Sequence, residues 1–283
     1  MTGRARFWIM HTANTDADDR QQVTYSKPGR RPQFFYTTAP LPCPYVAGRT
    51  ERKVVTEIAG ADAEALHDRL SRAGFRRSHN IAYAPVCPSC NACVPIRIPV
   101  ARFHPGRTLR RIARDNALVE GFEVPARATA EQFQLFQRYQ NNRHGDGDMA
   151  GMSFYDYRAM VEDTPIETMM VEFRDPDDRL IGACLTDRLG DGLSAVYSYF
   201  VPGLEKRSLG TYAILWLIER ARELGLPHVY LGYWVPESRK MAYKARFTPT
   251  EILARGAWRT LTDAELDEAG EAAPVVLVPE STG

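Results

Sequence analysis

Three cysteines recur at intervals of three residues in the stretch CPSCNAC, as Cys87, Cys90 and Cys93. Thiolates at this spacing are ligands for an iron–sulfur cluster or Zn²⁺, and Cys43 offers a fourth thiol from a distant part of the chain. Four structural thiols are the alternative, because three clustered cysteines and one distant one are weaker evidence than two complete pairs. A redox pair is disfavoured, since nothing around the motif predicts a thioredoxin-like surround. The fifth cysteine, Cys184, lies in an apolar strand pattern and is predicted to be core.

A second chemical feature is the density of arginine between residues 97 and 114, where no acid occurs before Asp115. The six arginines of this stretch are Arg97, Arg102, Arg107, Arg110, Arg111 and Arg114. They predict contacts to phosphates, which position a nucleic acid without reading its sequence, although a charge run is also typical of a solvated loop. Residues 1–120 hold 19 Lys+Arg against 10 Asp+Glu, a net charge of +9, which favours the nucleic-acid interpretation. Residues 121–283 hold 17 against 25, a net charge of −8, so attraction between the two halves is the other explanation.

A third feature is the concentration of tyrosine and lysine in YLGYW (230–234) and KMAYK (240–244). Such side chains can bind an acidic group or a nucleoside, and a tyrosine can relay a proton. Lys240 and Lys244 are four residues apart, so on a helix they are predicted to share one face. Taken alone, the residues favour a half-buried strand beside a solvated basic face.

The composition bounds the class of protein that must position these residues. The chain has 283 residues, 44% hydrophobic and 25% charged, which predicts a globular protein of two domains. No apolar run is long enough to span a membrane and the N-terminus lacks a signal pattern, so we expect a cytoplasmic protein with no membrane partner. An odd number of cysteines in a chain of this length argues against a disulfide scaffold.

The hydrophobic pattern predicts an order of elements. Helices are predicted over 62–73, 129–143, 153–163, 209–225 and 238–247, and strands over 93–100, 167–174, 179–189, 192–202, 228–234 and 250–254. Thr129 and Gln132 match a capping box, and Phe133, Phe136 and Tyr139 share one helix face and are predicted to be core. A meander of strands, a long helix, a strand, a helix and a strand are typical of an acyltransferase core of the GNAT type.

Four motifs in one order carry a family resemblance. They are PCPYVAGRTERK (42–53), CPSCNACVPIRIPV (87–100), RSLGTYAILWLIE (207–219) and YLGYWVPESRKMAYKARFTP (230–249). Together they resemble the aminoacyl-tRNA–protein transferases, in particular the short bacterial branch, from about residue 33 to about residue 255. The resemblance implies an α/β (α+β) protein with a GNAT-like transferase domain at 121–258. It also implies a smaller, basic, cysteine-bearing N-terminal domain at 33–120. The polar and acidic stretch NTDADDRQQ predicts a flexible segment at 1–32, and residues 259–283 form a tail outside the resemblance.

The resemblance also implies an activity. The family carries an amino acid from its tRNA to the N-terminus of a protein that begins with Asp or Glu, which marks that protein for N-degron degradation. Leucine is the expected donor in the bacterial branch and arginine in the eukaryotic branch, so charged tRNA is the co-substrate and no cofactor is firmly predicted. Iron–sulfur binding by related cysteines is linked to the eukaryotic branch, where the spacing differs. An acyl-CoA-dependent N-acyltransferase and a non-catalytic, metal-stabilised RNA-binding module are the alternatives.

Site residues follow from the same motifs. RSLGTY (207–212) half keeps the loop that binds pyrophosphate at a helix N-terminus in CoA-dependent members of the fold, because Tyr212 replaces a small residue. The candidate substrate-binding residues are Arg207, Ser208, Leu209, Gly210, Tyr212, Tyr197 and Tyr230. The candidate catalytic residues are Tyr233, Lys240, Tyr243 and Lys244, with Arg107, Arg110, Arg111 and Arg114 assigned to tRNA. The general base is left open among a tyrosine, a water molecule and the 2′-hydroxyl of the substrate.

Overall fold

The computed structural model of the 283-residue chain describes residues 32–143, 147–238 and 240–266. The predicted flexible segment 1–32 therefore lies almost wholly outside the described residues, as does most of the predicted tail 259–283. From Gln33 onward the described residues belong to one compact unit. This unit contains both helices and a large mixed sheet, which confirms the predicted α/β class.

Five α-helices occur among the described residues. They are α1 (Ala63–Arg72), α2 (Arg107–Asp115), α3 (Ala130–Arg143), α4 (Phe154–Glu162) and α5 (Leu209–Glu223). Four of them confirm predicted helices, whereas α2 forms where the sequence predicted only a charge run. The Thr129 hydroxyl and the Gln132 amide oxygen accept each other's backbone N–H at 3.2 Å, so the predicted capping box of α3 is present.

The predicted helix over 238–247 is wrong. Only a short 3₁₀ helix, Ala242–Arg246, forms in this segment. A 3₁₀ turn brings side chains three residues apart onto one side, and here it turns both Lys244 and Phe247 inward. Lys240 precedes the turn and is exposed, so Lys240 and Lys244 do not share a helix face as predicted.

The strands form three sheets. In chain order they are β1 (Tyr36–Thr37), β2 (Leu41–Pro42), β3 (Thr50–Glu51), β4 (Lys53–Glu57), β5 (Arg76–Ser78), β6 (Ile81–Pro85), β7 (Val94–Pro99), β8 (Glu120–Pro125), β9 (Thr168–Arg174), β10 (Leu180–Leu189), β11 (Gly192–Phe200), β12 (His228–Trp234), β13 (Glu251–Ala254) and β14 (Ala257–Thr260). The large sheet has the order β14-β13-β7-β12-β11-β10-β9-β8, the small sheet has the order β1-β4-β6-β5, and β2 pairs with β3. Strand β7 follows the cysteines directly yet lies inside the large sheet, so a separate cysteine-bearing N-terminal domain is not confirmed.

The large sheet is covered on both faces. Helices α2 and α5 pack on one face, where Leu109 and Leu217 belong to the same buried cluster. Helix α3 packs on the other face through Phe136 and Tyr139, which confirms that these aromatic residues are core. Cys184, on β10, is 1% exposed and is core as predicted. Within the described ranges, no helix has both the length and the apolar character that crossing a bilayer requires.

A buried ion pair joins the small sheet to the large one. The Arg77 guanidinium, on β5, donates to both carboxylate oxygens of Asp187, on β10, at 2.7 and 2.6 Å. Thr168 donates to the same carboxylate at 2.9 Å, and His67 of α1 lies 3.6 Å from it. Burial lowers the pKa of His67, so this imidazole is held neutral beside the pair. These contacts set the position of β5 relative to the large sheet.

Strands β11 and β12 run parallel but pair over only three residues each, Gly192–Ser194 with His228–Tyr230. At the level where pairing stops, both strands carry an irregularity against their other neighbours. The register of β10 with β11 shifts at Leu185/Thr186, and the register of β12 with β7 shifts at Tyr230/Gly232. The ends of β11 and β12 therefore leave an opening in the sheet, which we call the strand opening.

Candidate active site

A cavity of about 710 Å³ lies among the small sheet, the cysteine stretch and the ends of β12 and β13. Its aromatic lining includes Tyr45, Tyr83 and Tyr233. Burial raises the pKa of Tyr45 to about 12, so this phenol stays protonated at neutral pH. Arg49 and Glu237 also line the cavity and form an ion pair at 3.0 Å, which connects the loop before β3 to the segment after β12. The cavity thus combines aromatic surface with charged groups, as a binding site for a polar substrate requires.

The four predicted metal ligands all line this cavity. In the described part of the chain, however, no group of three or more His, Cys, Asp or Glu side chains is arranged to hold a metal ion. Two of the thiols have protein partners: Arg49 donates to Cys90 Sγ at 3.4 Å, and the backbone N–H of Arg52 donates to Cys87 Sγ at 3.4 Å. Burial and the other thiols raise the pKa of Cys93 to about 11, which favours a neutral thiol. Metal binding by these four thiols therefore stays a prediction from their spacing.

Cys90 differs from Cys93 in its electrostatic surroundings. A hydrogen bond from the backbone N–H of Ala92, and then the Arg49 guanidinium, lower the pKa of Cys90. The pKa values of these two thiols of the motif are therefore shifted in opposite directions.

Tyr233 and Lys244 are brought together as predicted. The ammonium of Lys244 donates to the backbone oxygen of Tyr233 at 2.8 Å. Lys244 is 8% exposed and no carboxylate lies within ion-pair distance of it among the described residues. Burial, and then the charge of Arg76, lower the pKa of Lys244 to about 7. Its amine is therefore divided between charged and neutral forms at neutral pH, as a proton acceptor requires.

Tyr233 itself is a hydrogen-bond donor in this structure. Its hydroxyl donates to the backbone oxygens of Gly74 at 3.0 Å and Tyr83 at 3.2 Å, which anchors β12 to the small sheet. Burial raises the pKa of Tyr233 well above its usual range. A phenol with two acceptors and a raised pKa is a poor proton acceptor, so the geometry favours an anchoring role over a proton relay.

Tyr243 lies beside the strand opening. Burial raises its pKa to about 12, and the charges of Arg143 and Arg76 act on it in the opposite direction. Tyr139 is also a neighbour and packs edge-on against Phe200 of β11, with ring centroids 5.0 Å apart.

Sequence reasoning missed Arg76. Its Nη2 donates to the backbone oxygens of Ala195 at 3.1 Å and Val196 at 2.8 Å, where β11 has stopped pairing with β12. Its Nη1 is buried and has no hydrogen-bond partner among the described residues. A Cβ added to Gly232 of β12 would lie 1.9 Å from this Nη1, so the guanidinium fills the strand opening. A glycine in the middle of a predicted strand was the one sequence signal, because it marks a close approach.

The loop before α5 forms the other candidate binding feature. Ser208 has a left-handed backbone conformation, φ 51° and ψ 47°, and its side chain makes no capping hydrogen bond. The first N–H groups of α5, which include those of Leu209 and Gly210, have no partner within the helix. Gly210 is required for packing, because a Cβ there would lie 2.9 Å from the ring of Phe200. The loop thus offers N–H donors at the positive end of a 15-residue helix.

Tyr212 does not crowd this loop. Its hydroxyl donates to the backbone oxygen of Val119 at 2.8 Å, and its ring packs edge-on against Phe173 with centroids 5.8 Å apart. Arg207 contributes through its backbone oxygen, which accepts a hydrogen bond from Asn116 Nδ2 at 2.8 Å. The side chain of Tyr212 thus anchors α5 to the residue before β8.

Tyr197 and Tyr230 occupy two different environments. The Tyr197 hydroxyl accepts a hydrogen bond from Gln140 Nε2 at 2.6 Å, and burial raises its pKa to about 12. The Tyr230 hydroxyl donates to Asp191 at 3.0 Å and accepts from Arg97 at 3.1 Å. Tyr230 is thus tied into a polar cluster near the start of β12 and does not line the cavity.

The arginines of α2 form one face of an amphipathic helix. Arg107, Arg110, Arg111 and Arg114 recur at intervals of three, four and seven residues and are exposed, whereas Leu109 and Ile112 point inward. We call these four residues the arginine stripe. Arg111 lies 3.6 Å from Asp115, and Arg110 donates to the backbone oxygen of Pro105 at 2.8 Å.

Two other arginines of the same charge run have internal roles. Arg97 donates to Glu251 at 2.8 Å and lies over the ring of Trp258, and Arg102 also donates to Glu251. They join β7 to β13 and β14. Only the arginine stripe therefore offers a continuous basic surface within the run.

The chain matches two sequence models of one family. The model described as "Arginine-tRNA-protein transferase, N terminus" matches residues 41–111, and the model described as "Arginine-tRNA-protein transferase, C terminus" matches residues 131–254. Among solved structures, FemX aligns with a TM-score of 0.45 and 9% identity over 69% of this chain and 67% of that chain.

Curated bacterial proteins named aspartate/glutamate leucyltransferase are similar over most of the chain. The protein from Gluconacetobacter diazotrophicus is 69% identical, with 89% of this chain and 96% of that protein covered. The protein from Granulibacter bethesdensis is 67% identical, with 91% and 97% covered. The protein from Paramagnetospirillum magneticum is 62% identical, with 82% and 95% covered.

Proposed function

Because the chain belongs to the arginine-tRNA–protein transferase family, we propose that it transfers leucine from leucyl-tRNA to the N-terminus of proteins that begin with Asp or Glu. The observation that carries the proposal is the 62–69% identity to three relatives that all bear the name aspartate/glutamate leucyltransferase. The product would expose an N-terminal leucine, a primary signal for N-degron degradation. Arginine is the alternative donor, because both matching family models carry that name.

The reaction is aminolysis of an ester. The α-amine of the acceptor forms a bond to the leucyl carbonyl carbon, and the bond from that carbon to the ribose oxygen breaks. The amine loses a proton and the departing ribose oxygen gains one, so the reaction needs no oxidant, reductant or second nucleotide. An α-amine has a pKa of about 7.7–8.0, so a neutral fraction exists at pH 7 and the enzyme mainly orients two substrates.

Two features support binding of tRNA. The arginine stripe on α2 presents four exposed guanidinium groups on one face, which suits a phosphate backbone. Asn116, at the end of α2, donates to the backbone oxygens of both Ile112 and Arg207 at 2.9 and 2.8 Å. Helix α2 and the loop before α5 are therefore held together. A tRNA whose stem follows the arginine stripe would bring its 3′ end toward the free N–H groups of that loop.

Of the four predicted catalytic residues, Lys244 is the one whose properties suit the chemical step. Its pKa of about 7 suits a group that accepts the proton of the attacking amine. Tyr233 then holds Lys244 through its backbone oxygen and anchors the strand through its hydroxyl. Tyr243 contributes aromatic surface beside the strand opening. Lys240 is exposed and precedes the same segment.

The test is a transfer assay with purified protein. Leucyl-tRNA and arginyl-tRNA are offered separately with peptides that begin with Asp, Glu or Asn, and with an Asp peptide whose amine is acetylated. We expect leucine to be transferred to the Asp and Glu peptides, and nothing to the acetylated peptide because its nucleophile is absent. Efficient acylation from acetyl-CoA, with no transfer from either charged tRNA, would overturn the proposal.

A further inference from the structure

Arg76 is a cation without a carboxylate partner. No Asp or Glu lies within ion-pair distance of its guanidinium in the described part of the chain, although the adjacent Arg77 has a bidentate partner in Asp187. Only Nη2 makes hydrogen bonds, to the backbone oxygens of Ala195 and Val196. Nη1 is buried and lacks an acceptor. Burying a charged donor without an acceptor is unfavourable, so such a group in a folded protein needs an explanation.

The fold places this cation between the cavity and the strand opening. Arg76 is the register partner of Tyr83 on β6, and directly opposed residues of antiparallel strands face the same side, so Arg76 lies on the face whose Tyr83 lines the cavity. Its guanidinium reaches β11 on one side of the opening and packs against Gly232 of β12 on the other. The charge of Arg76 also lowers the pKa of Lys244, and it partly offsets the rise that burial causes in the pKa of Tyr233. Arg76 is not itself among the residues that line the cavity, but its neighbours Tyr83 and Tyr233 are.

We propose that Arg76, whose guanidinium has no carboxylate partner among the described residues, binds the side-chain carboxylate of the acceptor's N-terminal Asp or Glu. The proposal rests on the proposed function and adds the residue that sets acceptor specificity. Two carbonyl oxygens hold Nη2, so the guanidinium is oriented before the acceptor binds. The planar guanidinium of an arginine also matches the geometry of a carboxylate better than the ammonium of a lysine does. With its carboxylate on Arg76, the acceptor has its α-amine only a few atoms from the guanidinium.

The proposal explains why an acidic residue is preferred to its amide. Asn has the shape of Asp but presents no charge, and a hydrogen bond between charged groups is stronger than one to a neutral amide. Loss of such a bond corresponds to about tenfold to hundredfold in kcat/KM. The same arrangement disfavours an acceptor that begins with Lys or Arg, because two cations would then share a buried site.

The experiment compares two Arg76 variants with a matched control. Leucyl transfer to an Asp peptide and to the corresponding Asn peptide is measured as kcat/KM for the wild type, Arg76→Gln and Arg76→Lys. Arg72→Gln is the control, since this substitution makes the same change of charge four residues away, on the exposed face of α1. We expect Arg76→Gln to reduce the Asp:Asn ratio at least tenfold, Arg76→Lys to reduce it less, and Arg72→Gln to leave it unchanged. Binding of leucyl-tRNA should be unaffected in all three.

Each result decides the matter. If Arg76→Gln lowers transfer to both peptides by the same factor, the Asp:Asn ratio is unchanged and Arg76 only supports β11, which overturns the inference. If Arg76→Gln does not fold, Arg76→Lys carries the test. If neither variant folds, a purely structural requirement accounts for the buried guanidinium and the inference is again overturned. A wild type that transfers leucine to no peptide would instead contradict the proposed function, so the two failures are distinguishable.

Discussion

The arginine stripe makes a quantitative prediction about tRNA binding. Arg110, Arg111 and Arg114 are replaced together by alanine, because these three lie on consecutive turns of the exposed face of α2. Each phosphate contact to a duplex contributes about 0.9 to the slope of log K against log salt, so three lost contacts should flatten the slope by about 2.7. The ion pair of Arg111 with Asp115 is exposed and 3.6 Å long, which makes it weak competition for a phosphate.

This slope converts into a difference that an ordinary binding assay detects. Between about 50 mM and about 200 mM salt the logarithm of concentration changes by about 0.6, so the wild type's advantage over the triple variant should shrink about 40-fold. Fluorescence anisotropy of labelled tRNA at four or five salt concentrations measures the slope for both proteins. Contacts to the single-stranded 3′ end contribute about 0.7 each, so a change nearer 2.1 would locate the stripe on that end.

The control is a second triple variant with the same change of charge. Arg158, Arg179 and Arg188 lie outside the stripe and each has an acidic neighbour, Glu162, Asp177 and Glu167. Replacing these three by alanine should leave both affinity and slope close to the wild-type values. The reasoning is refuted if the stripe variant binds tRNA with unchanged affinity and slope, or if the control variant loses as much as the stripe variant does.

Three further predictions concern stability and the cysteines. Asp187→Asn should lower the free energy of unfolding by about 3–5 kcal/mol in urea denaturation, because it leaves Arg77 buried and unpaired. Asp177→Asn, on the surface, should change the free energy of unfolding by less than about 0.5 kcal/mol. Equal effects of the two substitutions would contradict this prediction. Lys244 has a pKa of about 7 in the folded protein against an ordinary 10.5. Its buried charge therefore destabilises the folded protein fully below pH 7. Above pH 7 the free energy of unfolding should rise by about 1.4 kcal/mol per pH unit. Lys244→Met should abolish that rise when unfolding is compared at pH 7 and pH 9, and a rise that persists in the variant must have another source. Metal analysis of anaerobically purified protein tests the cysteine spacing, which predicts iron or zinc in near-stoichiometric amount that Cys90→Ser releases. Equal metal content in the wild type and Cys90→Ser would contradict this prediction.

Local pattern was sufficient for most of the secondary structure. The helix over Ala130–Arg143 follows from its capping box and from aromatic residues on one face, and both signals lie within a few residues of each other. The strand Leu180–Leu189 follows from its near-continuous apolar run, which also placed Cys184 in the core. The helix prediction for 238–247 was wrong because this segment turns Lys244 and Phe247 inward, which the periodicity of the sequence does not indicate.

The candidate site shows where local pattern stops. Cys43 and the cysteines of CPSCNAC converge on one cavity, as their assignment to one site predicts. The exposed arginines share one face of α2, a helix that the charge run did not predict. The partner of the Tyr212 hydroxyl, the backbone oxygen of Val119, could not be predicted, because it is 93 residues away in the chain.

Arg76 and Arg77 are the clearest case of what only the tertiary structure decided. In the sequence they are identical neighbours, and a strand turns them to opposite faces of the small sheet. One face delivers Arg77 to Asp187, 110 residues away, and the other carries Arg76, whose guanidinium reaches the opening between two strands that pair over three residues each. Composition and spacing determine which groups the chain contains and which elements they join. Whether a given charge is neutralised or left unpaired depends on contacts between distant segments, and here that difference separates a structural arginine from a proposed specificity residue.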